Sequence, residues 1–135
     1  MRKEFQGLAK LRADEATILA HNGKQQGAYY LAGLAIECAL KACIAKKTKR
    51  HQFPFGHDYV NKVYQHNLEG LLKVAELERK LDDEMRTNPG FAKKWNVVKE
   101  WDVERRYDVT GLKGSDMVTA VAAHDGVLRW IKQHW

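Results

Sequence analysis

Five alanines constrain this chain more than any other feature. Ala28, Ala32, Ala35, Ala39 and Ala42 recur at spacings of four, three, four and three, which stacks them on one face of an α-helix. A row of methyl groups has no bulk to hold a neighbour away, so another helix backbone can approach closely along it. Leu31, Leu34, Ile36, Leu40 and Ile44 cover most of the remaining surface. A helix apolar nearly all round belongs in the middle of a bundle, and the spacing predicts such a central helix over 25–47. Only Glu37 and Lys41 interrupt it, at the four-residue Glu-to-Lys offset that favours a helical ion pair. The same two charges argue against a membrane span over 28–45, because charge is costly in lipid.

Other helices follow from their punctuation. Asn22-Gly23 is a helix-ending pair, so a first helix is predicted over 3–21 with Phe5, Leu8, Leu11, Ile18 and Leu19 as its apolar stripe. A short helix is expected near 59–65, and a longer one over 67–85 carrying Leu68, Leu71, Leu72, Ala75, Leu81 and Met85. Asn88-Pro89 pairs an N-cap with a first-turn proline, and the helix it opens sets Phe91, Trp95, Val98 and Trp101 on one face. Ser115 is the expected N-cap of the last helix, in which Met117, Val121, His124, Leu128, Ile131 and Trp135 keep a helical spacing. His124 is thus expected in the core. With no alternating strand pattern and no repeat, the 135 residues read as one all-α domain over 1–135, a bundle of about five helices.

Cys38 and Cys43 would lie about 140° apart around their helix and roughly 7.5 Å apart along it, so they cannot bridge to each other. Small core thiols of this kind fit a reducing, cytoplasmic setting, and Met1-Arg2-Lys3-Glu4 shows no signal pattern. The formal charge of +6 suits anionic partners such as RNA or nucleotides, and it suits ordinary solubility as well.

Four landmarks line up along the chain: Ala35-Ile36-Glu37-Cys38-Ala39-Leu40-Lys41-Ala42, then His66-Asn67-Leu68 opening a helix, then Arg106-Tyr107-Asp108, then Val127-Leu128-Arg129-Trp130-Ile131. In that order they resemble the HEPN family of small helical domains, over nearly the whole chain. The resemblance implies a helical up-and-down bundle, often a homodimer, that handles RNA or nucleotides. Many members are metal-independent endoribonucleases in toxin–antitoxin or phage-defence systems. Others pair with a small nucleotidyltransferase, and some only bind nucleotides. From the residues themselves, no cofactor, no metal and no membrane partner is expected.

The family's ribonucleases carry an Arg and a His separated by four to six residues. Arginine offsets charge that builds on the phosphorus centre, and histidine moves a proton near neutrality. Here the Arg falls at Arg105 or Arg106, but Thr110 to Lys113 occupy the positions where His should follow. The usual motif is therefore not intact, and the leading expectation is binding rather than cleavage. Arg50 with His57 and Arg129 with His134 also fit the spacing, away from where the motif belongs.

Several residues carry two readings each. Glu37 fits a structural pairing with Lys41, His66 or an arginine, since buried charges need partners, or a site role orienting Arg106 or a substrate. His66 fits the opening of a helix or a displaced proton carrier. Arg105, Arg106 and Tyr107 combine phosphate-binding forks with a ring that stacks on a base; the alternative is that Tyr107 plugs the bundle end and Arg106 pairs with Glu37. Tyr107 is also a stand-in for the missing histidine. Lys113 adds a cation, and Lys46, Lys47, Lys49, Arg50 and Lys62 lie among Phe53, Phe55, Tyr59 and Tyr64, a mixture suited to single-stranded RNA or to a solvated loop anchored by its rings. A protein-interaction reading would rest on exposed Trp130 and Trp135. The histidines and cysteines show no metal-ligand spacing.

Overall fold

A computed structural model of the chain describes residues 1–48, 63–104 and 113–135. Among these it contains seven α-helices and no strand: α1 (Arg2–His21), α2 (Gln25–Lys47), α3 (Leu68–Val74), α4 (Glu78–Thr87), α5 (Pro89–Lys99), α6 (Gly114–Ala122) and α7 (Val127–Lys132). The fold is an all-α bundle. The short helix expected near 59–65 falls largely outside the described residues.

α2 is the buried centre, and its bounds are those the sequence predicts. All five alanines of its row are fully buried, and the face of α1 buried with them is also alanine: Ala9, Ala13 and Ala16. Methyl against methyl lets the two helices pack closely along their length. Their connection is a Schellman turn, with Gly23 at φ +74°, Lys24 N–H donating to Leu19 O at 2.8 Å and Gly23 N–H to Ala20 O at 3.1 Å; the left-handed conformation is one glycine adopts without penalty. This corrects the stripe expected on α1. Leu11 and Ile18 are 50% and 62% exposed, because a leucine in the α1–α2 seam would wedge apart two backbones that the alanines bring together. By length and composition α2 could cross a membrane, yet 72% of its most apolar window is buried inside the bundle, so other helices already cover that surface.

The helix expected over 67–85 breaks into α3 and α4. Glu76 takes φ +59°, while Leu77 N–H reaches back to Leu72 O and Glu76 N–H to Lys73 O. A left-handed glutamate costs about 1–2 kcal/mol. The turn offsets it by burying Leu77 beside Leu72 and by pairing Glu76 with Lys47 Nζ at 3.1 Å. Asn88 behaves as its sequence predicts, accepting from Phe91 N–H at 3.1 Å with Pro89 in the first turn.

The last helix breaks as well, at residues 123–126 between α6 and α7. A Cβ on Gly126 would lie 2.7 Å from Val121 O, so the turn needs glycine. The break carries His124 out of the core to the surface, against the expectation from its spacing. Ser115 is not the N-cap either: Lys113 holds that position, and Ser115 N–H donates to the Gln25 side chain at 2.8 Å. The start of α2 thus supplies the cap for α6.

Candidate functional site

Glu37 is the one charged side chain buried among the described residues, at 4% exposure. It projects from the middle of α2, where only an ionisable group with partners is tolerable. Lys41, one turn along, places Nζ 3.4 Å from Oε2. His66 arrives from another part of the chain, immediately before Asn67, whose side chain caps α3 by accepting from Gly70 N–H at 2.8 Å. That cap fixes the backbone on which the imidazole stands, and its Nδ1 lies 2.6 Å from Glu37 Oε1.

Both carboxylate oxygens therefore accept. Nδ1 must be the donor, which leaves Nε2 with the ring's free lone pair in the neutral imidazole. The His66 side chain is 56% exposed, and among the described residues no protein group bonds Nε2. A buried carboxylate thus holds a solvent-facing imidazole in one tautomer and one orientation. Such a ring can accept a hydrogen bond or a proton from a ligand without first reorganising. The structural pairing read for Glu37 is present, and it holds the His66 ring at the surface.

Lys113 is exposed at the start of α6. Arg105, Arg106 and Tyr107 lie outside the described residues, as do Lys49 and Arg50 of the basic connection and the Arg50–His57 match. The Arg129–His134 match does not assemble. Arg129 donates to the ring of His124 at 2.7 Å, whereas the His134 ring stands edge-on to Trp130 with centroids 4.9 Å apart.

Trp130 is buried against Phe91, with ring centroids 5.5 Å apart, and Trp135 is half-buried. Neither provides the exposed apolar face on which the interaction-module reading rested. Burial pushes the Cys43 thiol up to about 11, and burial followed by the Glu37 carboxylate raises that of Cys38, so neither is a ready nucleophile. Among the described residues no three His, Cys, Asp or Glu side chains converge as metal ligands. Compared with family models, with curated proteins and with solved structures, the chain matches none.

Proposed function

We propose that the chain is a HEPN-like domain that binds RNA or a nucleotide, acting as a homodimer within a toxin–antitoxin or defence system. One observation carries the reading more than any other: the only charge buried among the described residues is used to orient an exposed imidazole. A carboxylate needed for stability alone would be better replaced by an apolar side chain. His66 then offers Nε2 to a ribose hydroxyl, and the net charge of +6 draws the phosphates in. Arg105, Arg106, Tyr107 and Lys113 supply the phosphate and base contacts. The test is binding of a single-stranded RNA and of a nucleotide by the full chain, its His66→Ala variant and its Arg106→Ala variant. Weaker binding by both folded variants is the expected result; unchanged affinity in both would remove the assignment.

The fixed tautomer favours a second reading, metal-independent cleavage of RNA. His66 Nε2 takes the 2′-hydroxyl proton, the 2′-oxygen bonds to phosphorus, and the 5′-oxygen leaves and is protonated by solvent, giving a 2′,3′-cyclic phosphate. Cleavage that persists in chelator and disappears in His66→Ala supports this reading. Cleavage that needs added divalent metal counts against it.

A further inference from the structure

On the surface between α1 and the α6–α7 turn lies a cleft of about 590 Å³, the size of a small-molecule site. Its rim carries Lys10 and Asp14 from α1, His124 from the turn, and Arg129 and Lys132 from α7. Three features suit it to an anion. The first is cations left without a counter-ion. Like most Lys and Arg side chains among the described residues, Lys10, Arg129 and Lys132 have no carboxylate within ion-pair distance, although Asp14 stands on the same rim.

The second is an aromatic neighbour that two of these cations share. The ammonium groups of Lys10 and Lys132 each lie 5.8 Å from the centroid of the same Trp135 indole. The ring attracts both without occupying their N–H donors, which stay available to an anion. The third is an anchored fork. Arg129 Nη1 donates to the His124 ring and to His124 O at 3.1 Å. Anchored there, the guanidinium keeps its other nitrogens available for the paired hydrogen bonds that suit phosphate oxygens.

We propose that this cleft is a phosphate-binding site in which Arg129, Lys10 and Lys132 hold the phosphate of a nucleotide or of an RNA backbone. The site is separate from Glu37 and His66 and rests on the binding reading above only for what carries the phosphate. Inorganic pyrophosphate, AMP and a short single-stranded RNA, each titrated into the full chain, distinguish the carriers. The proposal expects Arg129→Ala to weaken the bound probe by at least about tenfold, the loss of one charge-assisted contact. Lys10→Ala/Lys132→Ala leaves the Arg129–His124 turn in place and should weaken the probe at least as much. Lys93→Ala removes an exposed cation from α5 and should change affinity less than about twofold. Pyrophosphate or AMP binding without RNA binding makes the carrier a free phosphate ligand. RNA binding that Arg129→Ala leaves intact but His66→Ala abolishes overturns the cleft and keeps the proposed function. Equal losses in Arg129→Ala and Lys93→Ala, or saturable binding of no probe, overturns the cleft.

Discussion

Gly33 stands in the interior of α2, where helix propensity alone favours alanine by about 1 kcal/mol. The packing opposes that preference. A Cβ at Gly33 would lie 2.1 Å from both Nε1 and Cε2 of Trp101, well inside the roughly 3.5–4 Å of ordinary carbon contact. The indole cannot easily yield, because it is only 5% exposed and Tyr30 packs on it with ring centroids 6.2 Å apart. Overpacking of a core costs about 1–3 kcal/mol, and forcing the ring out approaches the roughly 3–5 kcal/mol of losing a buried aromatic. Set against the propensity gain, Gly33→Ala should destabilise by about 2 kcal/mol, lowering Tm by about 7 °C in a domain of this size. Gly7→Ala is the matched control. It has nothing within 4 Å of the added Cβ and should gain about 0.5–1 kcal/mol. Urea unfolding followed by far-UV circular dichroism and tryptophan fluorescence measures both. A Gly33→Ala protein as stable as the parent, beside a stabilised Gly7→Ala, would refute the seating of Trp101 on α2.

Glu37→Ala strands Lys41, whose side chain is 11% exposed, and should cost about 3 kcal/mol in urea unfolding, whereas His66→Ala should stay within about 1 kcal/mol; equal losses would contradict the division of roles. Burial, and after it the charges of Lys80, Lys46 and Lys47, holds His134 below its ordinary 6.5. As pH falls the unfolded chain takes up that proton first, so the contribution is complete above about pH 6.5 and fades as pH drops toward the folded value. His134→Phe should flatten that part of the acid-side slope of the urea midpoint, and an unaltered slope would exclude the assignment. With Cys43 pushed up to about 11 and Cys38 also raised, both thiols should react with a disulfide reagent only in denaturant; fast labelling of either in native protein would show that the core is open there.

The architecture was most legible where one residue type met one requirement. The alanine row told of a central helix with a close neighbour, Asn22-Gly23 of a helix end, and Asn88-Pro89 of a capped start, because in each case local chemistry and tertiary packing ask for the same thing. Legibility failed where packing overrode local pattern. On α1 the larger residues looked like the core stripe, but the partner surface was flat, so the alanines were buried and Leu11 and Ile18 were not. Nothing in the sequence at Glu76 marks a left-handed turn, since the compensation comes from Leu77 and the distant Lys47. Gly126 did carry a signal: a glycine inside the last apolar run costs a helix about 1 kcal/mol, and it marks the place where His124 leaves the core.

The candidate site divides along the same line. Glu37 could be singled out from α2 alone, because a carboxylate on an otherwise apolar helix demands a partner wherever the rest of the chain goes. Which partner it takes depends on how α3 docks, and a helix pattern does not specify that. Lys41 was available as a local answer, yet it meets only one of the two oxygens. His66 meets the other at the shorter distance of 2.6 Å, and it is the partner that solvent can reach. The cleft at His124 and Arg129 was hidden for a different reason. Periodicity assigned His124 to the core, and only the turn at residues 123–126 brings its ring to Arg129 and sets that guanidinium on the rim with Lys10 and Lys132. A stripe identifies the residues that a regular helix would bury; cationic sites assembled where a helix breaks are what such a reading overlooks.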